Sequence, residues 1–391
     1  MSTDLGRVLH LFANYKWTGP ADPAIRAATR LRELGVDAVF AQAGFVHPGG
    51  EHRVAEELWN RRMPVVTGLE LRKHFHPVSL LRDVATLRHI VVRDRVTLLH
   101  CHQPADHLIA ALACRRLASP PPIVRSTYEP EAPPRGLRER YAFGRTRAVF
   151  APTPDACDGV VRAFGLRPDD VMLQEPVTEP RQLEGPNLRA AWGLGAEHRV
   201  VGITARIQPH RRFDLLWATA RFVVDAIPSA RFVLLGRGND EDTQKLVTEP
   251  IQRLGLAANV LLPGYQKGAA YEAALRSLDV FLFLVPGSDG TCRAVCDAMA
   301  FGLPVVSTKR GILPSLVAAR RAGEVPGVAC DEEPAALGGV LIRLLRDDAA
   351  RRDEGRAALR RARLDMDPVT AARTTIRVYE RVLGRVRGGG P

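Results

Sequence analysis

The chain runs twice through the same alternation of short apolar strands and amphipathic segments, and this constrains its fold more than any other feature. "RVLHLFA", "VDAVFAQA", "VTLLHCH" and "RAVFAPT" read as buried strands; between them lie helical patterns such as "PAIRAATRLRELG", stopped by Gly35, and "VSLLRDVATLRHIVVRD". From Leu188 the series restarts with "HRVVGITARI", the helix "FDLLWATARFVVDAIP", "ARFVLLGRGN", "ANVLLPG", "DVFLFLV" and "LPVVST". Strand and helix taking turns imply a parallel sheet covered on both faces. The expected fold class is α/β: two Rossmann-like, doubly wound parallel-sheet domains facing each other across a cleft. A chain of 391 residues suits two such cores better than one. Residues 1–180 and 188–368 are the expected domains, with 369–391 a closing helix and tail. The polar, proline-containing stretch from Glu175 to Asn187 reads as the hinge, and "ASPPPIV" as a rigid connector.

Ligands of such sheets bind outside the carboxyl ends of the strands. There the second series carries "GSDGTCRAVCDAMAFGLPVVST", with Asp289 in a loop after a strand and Asp297 eight positions on, in a helix. Backbone N–H groups at Gly290 and Thr291 would form an anion site at that helix start, and the two carboxylates could grip sugar hydroxyls. A capping aspartate and a solvated one are the plainer alternative. Upstream, "ARIQPHRRFDLL" places Arg206, Arg211 and Arg212 at a strand end, where guanidinium groups can fork onto phosphate oxygens. The glycines of "LLGRGND" (Gly236, Gly238) and "LLPGYQ" (Gly264) allow close backbone approach, or serve only as turns.

These motifs, in this order and with these separations, resemble the retaining GT-B glycosyltransferases, in particular the large family numbered four. The match runs from about Val200 to Leu316, and "AMAFGLPVVST" beside spaced acids is its most specific part. The resemblance implies transfer of a sugar from a nucleotide-diphosphate sugar to an acceptor, with retention. By position, Arg206 and Arg211 would hold the donor diphosphate, Asp297 the ribose hydroxyls and Asp289 the transferred sugar. Gly290 and Thr291 would meet its hydroxyls or phosphate. "KWTGPADPA" matches the family's glycine-rich segment, pointing to Gly19 and to Lys16, and "TLLHCH" makes His102 the histidine near the reacting sugar. The chain departs from the family pattern at Asp289 and Asp297, which replace glutamates, at Cys292, which replaces a second glycine, and at Arg212, which replaces the glycine after the basic residue. Shortened acids at a catalytic centre favour an alternative, a degenerate homologue that binds a nucleotide sugar or a protein partner without transfer.

Composition narrows the remaining classes. The net charge of +12 invites a nucleic-acid reading, yet only five of 55 basic residues are lysine and acids share the same helices, so no basic stripe forms. No nucleic-acid partner is expected, whereas a glycan, lipid or small-molecule acceptor is, and the arginine-rich helices suit peripheral contact with an anionic membrane. A nicotinamide oxidoreductase would need a G-x-G-x-x-G turn after the first strand, which is missing. The six cysteines show no metal-ligand spacing. "DED" (Asp240 to Asp242) and "DMD" (Asp365 to Asp367) read as capping or solvated acids. Neither cofactor nor metal is expected, because the arginines can neutralise the leaving diphosphate. The N-terminus lacks the order of a signal peptide and no apolar run is long enough to span a bilayer, which points to the cytoplasm or the inner face of its membrane.

Overall fold

The computed structural model describes residues 5–286 and 292–387, folded as two compact units. The first unit holds a seven-stranded sheet of β1 (Arg7–Phe12), β2 (Asp37–Gln42), β3 (Val65–Val66), β4 (Val96–Cys101), β5 (Ile123–Ser126), β6 (Thr146–Ala151) and β7 (Val171–Leu173). Their spatial order is β3-β2-β1-β4-β5-β6-β7, and every pairing is parallel. The second unit repeats the design with β8 (Arg199–Arg206), β9 (Ala230–Arg237), β10 (Val260–Leu261), β11 (Val280–Phe283), β12 (Val305–Thr308) and β13 (Gly327–Cys330), ordered β10-β9-β8-β11-β12-β13, again all parallel. In both sheets the chain leaves from the middle, moves out one way, and returns past its starting strand. That reversal lies between β1 and β4 and between β8 and β11, where a crevice opens at the strand ends.

Apolar side chains cover both faces of each sheet, which is why the strands read as continuous apolar runs. Helix Phe213–Ala226 shows the logic: Phe213, Leu216, Trp217, Ala220, Val223 and Val224 are buried at helical spacing against β8 and its neighbours. The Trp217 indole N–H, fully inside, donates to the Leu246 carbonyl at 2.7 Å. Helix Ala21–Glu33 ends as the sequence suggests, with Gly35 at a left-handed φ of 89°.

Two elements differ from the sequence reading. β5 follows directly on the prolines of "ASPPPIV" and is a central strand, not part of a connector. The closing helix, Pro368–Arg387, is no appendage: it returns to the first unit, where Val378, Tyr379, Val382 and Leu383 complete the core formed with helix Ala21–Glu33. The stretch after Pro176 has little regular structure and from Val177 is bound into the second unit, with the Thr178 N–H donating to the Met366 carbonyl at 2.9 Å. No helix among the described residues is long and apolar enough to cross a membrane.

Candidate active site

In the second unit the candidate residues gather where the sheet order reverses. Arg206 closes β8 with an exposed side chain, and among the described residues it makes no hydrogen bond or ion pair. Arg211 follows after a short turn, but its guanidinium is engaged: Nη1 donates to the carbonyls of Val285 and Pro286 at 3.1 and 2.9 Å. It therefore ties the chain leaving β11 to the chain leaving β8. Asp289, Gly290 and Thr291 lie outside the described residues.

Helix Arg293–Ala300 presents Asp297 in its second turn, only 6% exposed. Its Oδ1 accepts from Arg181 Nη2 at 3.1 Å and from the Thr178 hydroxyl at 3.3 Å, while Arg293 approaches Oδ2 at 3.7 Å. Arg181 also donates to Glu272. Tyr271, whose phenol is pushed up by burial and then by the Asp297 charge, adjoins this cluster. The solvated alternative for Asp297 thus does not hold: the residue is buried, and one of its oxygens is committed to the protein. Arg181 carried no signal in the sequence, because it lies far from Asp297 along the chain and sits in an irregular segment.

The departures from the family pattern acquire a physical meaning. Arg212 has φ 57° and Cys292 φ 48°, left-handed backbone that glycine adopts at no cost. Both precede a helix, and both are held by their side chains: Arg212 pairs with Asp214 and Glu332, and Cys292 is buried in the core beneath its helix.

The glycine turns behave differently from one another. A Cβ on Gly236 would lie 1.9 Å from the Ala205 carbonyl oxygen, and one on Gly238 would lie 2.7 Å from Ile207 Cβ. The neighbouring chain, backbone at Gly236 and Ile207 at Gly238, is by itself enough to exclude side chains at these positions. Gly264 has φ 77° with open space around its Cβ direction, and beside it Tyr265 carries the Arg237 and Lys267 cations at 4.8 and 5.4 Å.

In the first unit Gly19 lies in the turn that starts helix Ala21–Glu33, where the Ala21 N–H donates to the Thr18 carbonyl at 2.9 Å. Nearby, a cavity of about 260 Å³ is lined by Tyr15, Lys16, Thr18 and His47 among others. His102 follows β4 and is 1% exposed. Its Nδ1 hydrogen-bonds with the Tyr128 hydroxyl at 2.6 Å and its Nε2 with His10 Nδ1 at 3.0 Å. Both ring nitrogens are thus used within the protein.

His10, His100 and His102 bring ring nitrogens within 4.8 Å of one another, so this trio could in principle hold a metal. His100 instead bonds with Tyr379 and with Ser126, and His102 uses both nitrogens as described. A metal would have to break those bonds, and the trio is better described as a buried network joining β1, β4, β5 and the closing helix. Of the two acidic motifs, "DED" opens a helix capped by Asn239, and Asp365 of "DMD" is ion-paired with Arg321 at 2.9 Å.

Burial pushes the His10 imidazole down to about 3 and holds His100, His102 and His107 well below the ordinary value. These four bind protons more readily unfolded than folded, so stability present above about pH 6.5 is lost as the pH falls. Asp106, pushed up to about 7 by burial, and Asp83, also raised, act in the opposite sense. Four imidazoles outweigh two carboxylates. The thermal midpoint of the first unit is expected to fall between pH 7 and pH 5, followed by circular dichroism, and a rise over that range would contradict the reading.

The family model described as Glycosyl transferases group 1 matches residues 198–347, and that described as Glycosyltransferase Family 4 matches 24–174. Similar proteins include the D-inositol 3-phosphate glycosyltransferase of Mycobacteroides abscessus, 27% identical over 65% of this chain and 55% of that protein. Another is the GDP-mannose-dependent alpha-mannosyltransferase of Mycolicibacterium smegmatis, 32% identical over 51% of this chain and 47% of that one. The chain thus spans about half the length of these relatives. Among solved structures, HepE of Anabaena in complex with UDP superposes with a TM-score of 0.75 at 19% identity, over 96% of this chain and 100% of that one. A glycosyltransferase of Rickettsia africae gives 0.75 at 12% identity, over 96% and 98%. At such identities the structures speak for the fold, and the family models speak for the lineage. The chain has the two-domain, Rossmann-like GT-B fold and belongs to the group 1, family 4 glycosyltransferases.

Proposed function

We propose that the protein transfers a sugar from a nucleotide-diphosphate sugar to a hydroxyl-bearing acceptor, with retention of the anomeric configuration and no metal. The observation that carries this reading is Arg206: an exposed guanidinium with no partner among the described residues, at the end of the central strand where the sheet order reverses, the position at which the resemblance implies donor phosphate. Neutralising a departing diphosphate is the main electrostatic demand of the reaction, and a guanidinium fork meets it. Arg211 supports the same chemistry by fixing the chain that leads into 287–291. Asp297 would offer its Oδ2 to the ribose, with Oδ1 fixed by Arg181 and Thr178. The cavity beside Lys16 in the first unit is the natural acceptor site. The names of the relatives, which include an inositol phosphate and GDP-mannose, favour a polyhydroxylated acceptor and a hexose donor.

The test is a transfer assay preceded by thermal-shift screening of UDP-, GDP- and ADP-sugars. One donor class is expected to raise the midpoint and to turn over equally, within about twofold, with and without EDTA. Loss of most activity in EDTA would refute metal independence alone. A second reading, donor binding without transfer, is favoured by the shortened acids Asp289 and Asp297 and by Cys292 in place of a glycine. It predicts a thermal shift with neither hydrolysis nor product for any acceptor.

A further inference from the structure

Arg212 joins the short turn Pro209–Arg211 to helix Phe213–Ala226 with left-handed backbone, at φ 57°. A residue with a Cβ leaves that conformation for the right-handed one unless its surroundings hold it. Here the side chain is the hold. Its Nε donates to both carboxylate oxygens of Asp214 at 3.1 and 3.2 Å, and its Nη1 donates to Glu332. Glu332 follows β13 and takes a second guanidinium, that of Arg310, which follows β12: Nη2 donates to Oε2 at 2.6 Å and Nε to Oε1. Those bonds from Arg310, and after them the charge of Arg212, keep the Glu332 carboxyl below the ordinary carboxylate range, so it is ionised at neutral pH. The neighbouring Asp331 is engaged elsewhere, with Lys309 at 2.9 Å. One carboxylate thus draws together the chain leaving β8, β12 and β13.

The helices that follow give this carboxylate a firm base. Phe213–Ala226 and Pro334–Arg346 pack side by side, so closely that a Cβ on Gly338 would lie 2.4 Å from Phe222 Cδ1. Arg212 lies just before the first of them and Glu332 just before the second. What depends on the turn is Arg211. Its N–H donates to the Gln208 carbonyl at 3.1 Å, and its guanidinium holds the carbonyls of Val285 and Pro286. Rotating Arg212 into right-handed backbone would redirect the chain at that point and carry the Arg211 guanidinium off those carbonyls. An isolated exposed ion pair contributes little, but this carboxylate fixes a backbone angle next to a candidate donor-site residue.

We propose that Glu332 is a positioning residue of the donor site: by holding Arg212 in its left-handed turn, it keeps Arg211 on the chain that leads out of β11. It does for arginine at 212 what glycine there would not need. The kinetic part of this inference rests on the proposed sugar transfer, and the conformational part on the second unit alone.

A cycle of Glu332→Gln, Arg212→Gly and the double variant in the full chain tests it, with amide exchange, donor KM, kcat and melting curves measured on each. Glu332→Gln is expected to speed exchange about tenfold at the Arg211 amide and at the Leu216 amide, which donates to the Arg212 carbonyl. It should raise donor KM about fivefold and change kcat by less than about twofold. In the Arg212→Gly background, removing the Glu332 charge should alter exchange and KM by less than about twofold. If the wild-type chain transfers from no donor, the transfer reading fails by itself, and affinity for UDP, GDP and ADP by calorimetry takes the place of KM in the same cycle. Unchanged exchange in Glu332→Gln, or a loss of the same size whichever residue stands at 212, overturns the proposal. So does faster exchange with donor KM and nucleotide affinity unmoved, or a wild-type chain that binds none of the three nucleotides.

Discussion

Replacing Arg206 by alanine is expected to lower turnover about 100-fold or more while leaving the fold intact, because electrostatic stabilisation of the leaving group is lost and little else. The side chain is exposed at the end of β8 and has no partner among the described residues, so its loss should change stability by no more than about 0.5 kcal/mol. Arg206→Lys keeps the charge but not the fork and should recover part of the loss. The effect belongs in kcat more than in KM, since the charge it meets develops as the bond breaks. Steady-state kinetics with melting curves on the same preparations checks this. Full turnover in a folded Arg206→Ala protein would remove the central residue of the proposed mechanism.

Gly236→Ala should destabilise the second unit by about 3 kcal/mol, at the upper end of overpacking costs, since the clash is with backbone on a neighbouring strand. The Ala205 oxygen, 1.9 Å from the new methyl group, cannot swing aside as a side chain could. Urea unfolding measures the loss. The result separates two roles for this glycine: one needed for ligand approach would cost donor affinity and spare stability, whereas one needed for strand packing costs stability first. At Gly264, where the Cβ direction is open, only the left-handed strain of about 1 kcal/mol is expected for alanine.

The two sheets were legible in the sequence because central strands of a covered parallel sheet are largely apolar runs, and β1, β4, β8, β9 and β11 are of that kind. The edge strands β3 and β10, two residues each, carry too little pattern to be read. β5 was hidden by three prolines just before it, since "IVRS" looks like an exposed turn until helices cover both faces. Arg206 was singled out because strand ends are where the fold puts ligands. Arg181 was not, because its pairing with Asp297 is a contact between distant parts of the chain that no local periodicity encodes. His102 illustrates the reverse limit: the motif located it correctly after β4, but burial and the bond to Tyr128 appear only once β5 is in place. The replacement of glycine at 212 and 292 could be noticed in the sequence, yet only the backbone angles show that both positions ask for glycine.

The return of the closing helix to the first unit sets an order on synthesis. Tyr379, bonded with His100 and wholly enclosed, is made long after the sheet it covers has emerged from the ribosome. Domains ordinarily fold in the order in which they are translated. Here the first unit must wait, with an uncovered apolar face, until residues 368–387 have been made, and a nascent chain that stops before them would leave the first unit unfinished.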